Sequence, residues 1–211
     1  LVGYALAMVS VFPLFHLMAD AANPALSRAT ATSPVRIALP PCDFSVFGKP
    51  DTDCERALAY LVKRGVSYTK TPGATLELRV GQTIVPGFDD AAYTAALVAA
   101  GYPDKADPTQ KQPWKIILAV TLMVALSAMT YGHVAAILVE MFPAKIRYTS
   151  MSVPYHIGTG YFGGFLPFIS QYIVVSTGDA YSGLWYTVGV VAVAFIVSLI
   201  WLPETHRKVL D

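Results

Sequence analysis

Thr130, His133, Ile137 and Glu140 recur at the three- and four-residue spacing that places side chains on one face of an α-helix, and three of the four are polar within a run that is otherwise apolar. An imidazole and a carboxylate so placed can relay protons or hold a polar solute, because ionisable groups inside a membrane are costly and tend to line cavities and relays. Plainer work suits them too: His133 can hydrogen-bond a neighbouring helix, and Glu140 can sit at headgroup depth near Lys145 or Arg147. Thr130, Tyr131 and His133 are the candidates for a substrate or proton pathway, and Glu140, Lys145 and Arg147 for charge contacts at a gate. Cys42 and Cys54 are the two cysteines of the chain. In an oxidising compartment they are candidates for a disulfide; two separate buried thiols are the other reading. No metal site is expected, since no His lies between residues 17 and 132 and two Cys leave a tetrahedral shell incomplete. Asp89 and Asp90 fit a helix N-terminus, where backbone amides favour negative charge, better than an acid/base pair. Gly158, Gly160 and Gly163 spell G-x-G-x-x-G, yet no strand precedes them and the surroundings are apolar, so the dinucleotide reading fails on context. Small-residue packing fits better: His156, Gly160, Gly163 and Gly164 fall near one face and form a seam that a partner helix backbone can approach closely. No catalytic constellation emerges and no cofactor is expected; the chain reads as a non-enzyme.

The elements that must carry these residues follow from the distribution of charge. Only 14% of residues are charged and 55% are hydrophobic, against ~25% charged in a typical soluble domain. Residues 20–113 hold 20 of the 29 charges, and four stretches free of Asp, Glu, Lys and Arg remain: Leu1–Ala19, Ile116–Val139, Tyr148–Gly178 and Ala180–Pro203. Each reaches the roughly 18 apolar residues that read as a membrane span. A simple soluble enzyme is excluded. A nucleic-acid partner is excluded as well, because the net charge is only +1 and no Lys/Arg cluster could neutralise phosphates. The expected fold is an all-α membrane protein with four transmembrane helices, at 1–19, 114–141, 151–176 and 181–203, and a small α/β extracytoplasmic insert. Pro154 and Pro167 predict a distortion of the third span, freeing backbone groups that must find partners inside the protein.

Positive charge in short loops marks the cytoplasmic side. Lys145 and Arg147 lie in the turn 142–150, His206, Arg207 and Lys208 in the tail 204–211, and the turn around Asp179 has no basic residue. The turn and the tail are therefore expected inside, and residues 20–113 outside. The ten basic residues of that outer segment do not oppose this, since loops beyond ~60 residues translocate largely regardless of charge. Trp114, Tyr181, Trp185 and Tyr186 fall at the outer boundary and Trp201 near the inner one, where aromatic rings anchor. The chain opens on Leu within an apolar run, without the charged start and cleavage site of a signal peptide, and is expected to continue a longer protein. Within the insert, at about 35–103, Thr52 and Glu55 form a capping-box pattern. Cys54, Ala57, Leu58, Leu61 and Val62 then recur at helical spacing up to Gly65. Val66–Thr69 and Thr75–Val80 read as strands, and a second helix runs from Asp89 or Asp90 to Gly101. Pro40, Pro41, Pro103, Pro108 and Pro113 mark linkers.

The run Leu138-Val139-Glu140-Met141-Phe142-Pro143-Ala144-Lys145-Ile146-Arg147-Tyr148-Thr149-Ser150, followed by Pro154-Tyr155-His156-Ile157-Gly158 and Gly163-Gly164-Phe165-Leu166-Pro167, resembles the stretch joining the tenth and eleventh helices of the metabolite:proton symporter family of the major facilitator superfamily. Pro203-Glu204-Thr205 is similar to the end of the last helix in many members, and Phe12-Pro13-Leu14-Phe15 with Ala22-Asn23-Pro24 to the ninth helix and its exit. The resemblance covers all four spans and matches the insert less closely. It implies helices nine to twelve of a twelve-helix transporter of the plasma (inner) membrane, working by alternating access around a midplane site. The implied partners are protons, a small carboxylate or zwitterion, the lipid bilayer and the remaining helices of the parent. Glu140, Lys145 and Arg147 then fall at the cytoplasmic gate, and the glycine face at the seam between the two halves. A different class stays open: a membrane-anchored extracytoplasmic binding or assembly module, in which the insert does the work. That reading needs neither a polar stripe in the second span nor a glycine face in the third.

Overall fold

The computed structural model describes residues 1–42 and 48–201; the tail 204–211, with His206, Arg207 and Lys208, and the Pro203-Glu204-Thr205 run lie outside them. Among the described residues three helices are long and apolar enough to cross a membrane: Val2–Ala22, Pro113–Met141 and Leu184–Trp201. The first, α1 (Val2–Ala22), runs three residues past the predicted end, and Asn23 then caps α2 (Pro24–Thr32) through its side chain. Close approach joins α1 to α5 (Pro113–Tyr131). A Cβ on Gly3 would stand 3.2 Å from the Thr130 methyl and 3.3 Å from Met129, so a side chain there would require the neighbouring helix to yield by a few tenths of an ångström.

The insert packs two helices on one face of a sheet. Strands β1 (Val35–Leu39) and β2 (Tyr68–Pro72) are parallel and are connected through α3 (Asp53–Lys63); β3 (Glu77–Val80) and β4 (Thr83–Pro86) form an antiparallel hairpin, in the order β2-β1-β3-β4. Alternation decides the faces. Val35, Ile37, Leu39, Leu78, Val80 and Val85 point inward, against Leu58 and Leu61 of α3 and Tyr93 and Leu97 of α4 (Asp90–Ala99). Burying one such Leu contributes on the order of 1.5–3 kcal/mol. The strands β1 and β4 have no counterpart among the two predicted strands, and β2 begins two residues later than predicted.

Local signals explain the helix ends. The Thr52 hydroxyl accepts from the Glu55 amide at 3.2 Å, while the Glu55 carboxylate accepts from the Thr52 amide at 3.1 Å, closing the capping box. At the far end Gly65, with φ 68°, lets its own amide reach Val62 O and the Val66 amide reach Leu61 O, a reversal that a Cβ would strain. Cys42 and Cys54 are joined by a disulfide, with Cα atoms 6.6 Å apart.

The remaining apolar stretch is divided. It consists of α7 (Arg147–Ile157), a π segment (Gly158–Gly163) and α8 (Leu166–Thr177), with Pro154 and Pro167 on either side of the wide turn. Neither α7 with 11 residues nor α8 with 12 reaches a full span alone. A proline lacks the amide for the i−4 carbonyl, and the ladder is loosened where two such gaps lie one turn or so from four glycines. One freed carbonyl is met from a neighbour: Tyr186 Oη of α9 (Leu184–Trp201) donates to Phe162 O at 3.2 Å. The second span is divided too. Its regular hydrogen-bonded ladder is interrupted at Gly132 and His133, between α5 and α6 (Val134–Met141), and the stripe Thr130, His133, Ile137, Glu140 crosses that interruption; His133 is the N-cap of α6. The predicted turn 142–150 shortens, because α7 already starts at Arg147.

Candidate functional site

A crevice of about 340 Å³ opens between the C-terminal end of α5, α6 and α7. Its walls are apolar, from Val134, Ala135, Leu138 and Met151, and its polar groups are Tyr131, Tyr148, Ser152, Tyr155 and His156. The phenols of Tyr131 and Tyr155 meet at 2.7 Å, where either can donate. One O–H of the pair is thereby left to offer to a solute. His156 Nδ1 lies 2.7 Å from the Ser152 carbonyl and 3.1 Å from its hydroxyl. A proton on Nδ1 satisfies that carbonyl and leaves Nε2 as an acceptor. The rings of Tyr155 and His156 are 5.8 Å apart and nearly perpendicular. In an apolar surrounding, paired phenols beside an imidazole can hold a polar solute by hydrogen bonds.

The sequence candidates distribute unevenly over this arrangement. Tyr131 and His156 are brought together. Thr130 faces a second cavity of about 230 Å³ between α1, α5 and α9, where Ser10, Ser127 and Thr187 also lie. The Thr130 hydroxyl donates to Ser127 O at 2.9 Å and the Ser10 hydroxyl to Leu6 O at 2.6 Å, so neither donor proton is offered to the cavity. His133 is exposed at the break between α5 and α6 and does not line the crevice. Glu140 is half-buried near the end of α6 and Lys145 is exposed. Arg147 Nε donates to Phe142 O at 3.1 Å, closing the short turn. Added Cβ atoms on Gly158, Gly160, Gly163 and Gly164 would meet nothing within 4 Å, so among the described residues no helix of this chain packs on that face. Tyr148, Ser152 and Tyr155 were not singled out from the sequence, although their spacing of four and three residues puts them on one face of α7. No three His, Cys, Asp or Glu side chains among the described residues come together as a metal ion would require.

Comparison with known proteins bears on the same region. A family model described as "Sugar (and other) transporter" matches residues 91–211. A citrate-proton symporter of Klebsiella pneumoniae is 31% identical over 96 residues, 44% of this chain and 22% of that protein. A protein named as a candidate proline/betaine transporter of Staphylococcus haemolyticus is 32% identical over 68 residues, 32% of this chain and 14% of its own length. The chain thus matches less than a quarter of the length of these relatives. No solved structure gives a significant match.

Proposed function

Since this chain belongs to the sugar (and other) transporter family, we propose that it is the C-terminal part of a secondary active transporter that moves a small carboxylate or zwitterion together with protons by alternating access. The metabolite:proton symporter group is the proposed subfamily, and the names of the two relatives, a citrate-proton symporter and a candidate proline/betaine transporter, support that choice. The observation that carries the reading is the Tyr131–Tyr155 phenol pair beside His156 in the crevice between α5, α6 and α7. We assign those three residues to solute binding and proton coupling. Thr130 and His133 are lesser members of the pathway, and Glu140, Lys145 and Arg147 belong to the inner gate. The composite of α7, π segment and α8 serves as a fourth crossing, with residues 20–113 outside and the C-terminus in the cytoplasm. His156, Gly160, Gly163 and Gly164 then face the remaining helices of the parent.

The test is uptake into proteoliposomes holding the full-length protein, with labelled citrate and betaine, with and without an imposed inward proton gradient. Uptake of one of them that rises with the gradient and falls in Tyr155→Phe supports the reading; uptake indifferent to the gradient removes proton coupling. One observation favours a second reading, the membrane-anchored module: the well-buried core of the chain, with Ile37, Leu58, Leu61, Leu78, Tyr93 and Leu97, lies in the insert. Full uptake after excision of residues 35–103 would count against that module, whereas solute or protein binding by the whole chain without any uptake would favour it.

A further inference from the structure

The insert is held to the spans at two separate places. At its neck the Gln112 amide donates to Ala21 O at 2.9 Å, tying the start of α5 to the end of α1, and Arg28 Nη2 donates to Gln110 Oε1 at 3.0 Å. At its far side the insert sits on the turn between α8 and α9. The Tyr68 amide, on the outer edge of β2, donates to Gly178 O at 2.8 Å, and the Ala180 amide donates to Ser67 Oγ at 3.2 Å. The Tyr68 phenol reaches back to Val175 O at 3.1 Å. Val175 itself, a residue of α8, is 1% exposed and belongs to the hydrophobic core of the insert. A domain swinging on linkers closes its own core and solvates its edges; this one leaves a strand edge and a core position to be filled by a membrane helix. Gly178 seals the joint. Its φ of 78° suits glycine, and a Cβ there would overlap the Tyr68 carbonyl.

We infer that the insert is an outer clamp, joining the α1–α5 pair to the α8–α9 hairpin so that the outer ends of these spans move as one body. The place of such a clamp in a transport cycle rests on the transporter reading, but the clamp itself is measured without any transported solute. Spin labels go on Val98 of α4 and Trp185 of α9, both exposed, in the full-length protein in lipid with the Cys42–Cys54 bond kept. Pulsed dipolar spectroscopy should give one narrow distance distribution, and Gly178→Val should broaden it several-fold. A broad distribution in the parent overturns the clamp, as does an equally narrow one in Gly178→Val. Should Gly178→Val fail to insert, the combined Ser67→Ala, Tyr68→Phe variant removes two tethers without adding bulk. It should broaden the distribution and raise amide exchange in β2 at least tenfold, and unchanged exchange would overturn the inference. Failure of solute uptake alone leaves the clamp standing and sinks only the transporter reading.

Discussion

At the scale of single residues, the Tyr131–Tyr155 pair is the arrangement whose chemistry can be measured. A neutral hydrogen bond contributes ~0.5–1.5 kcal/mol. Tyr131→Phe and Tyr155→Phe should therefore each raise the KM for solute roughly 2- to 10-fold, with membrane insertion unchanged; an effect on maximal rate alone would move the pair out of the binding site. The insert offers a second residue-scale test. Burial, helped by the charge of Asp53, pushes the Tyr93 phenol up to about 12, and burial raises Tyr68 as well. Both prefer the neutral form when folded. Their contribution is complete below the ordinary tyrosine value near 10 and is lost as pH rises toward 12, so the insert should unfold across that alkaline window. In Tyr93→Phe the alkaline transition should become shallower, while at neutral pH the lost bond to Gly87 O costs about 1 kcal/mol. Circular dichroism against pH reads both, and an unaltered alkaline limb in the variant would refute the assignment.

At the scale of elements, the break between α5 and α6 turns on Gly132. A Cβ there would lie 2.8 Å from Ala128 O. Replacing a helical Gly by Ala ordinarily stabilises by up to ~1 kcal/mol, but relieving a steric overlap of this kind costs ~1–3 kcal/mol, so Gly132→Ala should lower the melting temperature in detergent. A rise would mean that a straight helix is preferred. The glycines of the π segment predict the opposite pattern. Because nothing touches them here, Gly160→Leu with Gly164→Leu should leave the stability of the 211-residue chain within about 0.5 kcal/mol, while abolishing uptake by the full-length protein. Unimpaired uptake would rule out a packed seam. How readable these elements are depends on where their cause resides. The helix α3 was plain because its start and stop are both written locally, in Thr52 and Glu55 and in Gly65. The strand β1 alternates over only five residues before Pro40, and β4 ends at Pro86 without alternation, so neither stands out from a loop. A π turn changes which amide meets which carbonyl, and the period of the side chains barely records that. Likewise Tyr155 was hidden because its partner, Tyr131, is 24 residues away, beyond any local pattern.

At the scale of the whole molecule, the apolar helices are little buried within the chain, so their faces are open to lipid and to other helices. The proposed orientation is tested with Lys145→Cys and Asp179→Cys, both exposed positions, in a background where Cys42 and Cys54 remain bonded. An impermeant reagent should reach Asp179→Cys from outside and Lys145→Cys only from the cytoplasm; the reverse would invert the topology. That orientation, joined to the position of Val175, sets an order of events during synthesis. The strands and helices of the insert are complete by Ala99, yet the side chain that closes its core is made some 75 residues later. At ~5–20 residues per second the half-finished insert waits on the order of 4–15 s, its docking edge uncovered, before α8 emerges to meet it. The Cys42–Cys54 bond joins the chain after β1 to the first turn of α3 and can form during that wait. Cells lacking an oxidising folding pathway should therefore degrade the newborn chain within this interval, which pulse-chase labelling of Cys42→Ser would reveal as loss before, rather than after, full-length product appears.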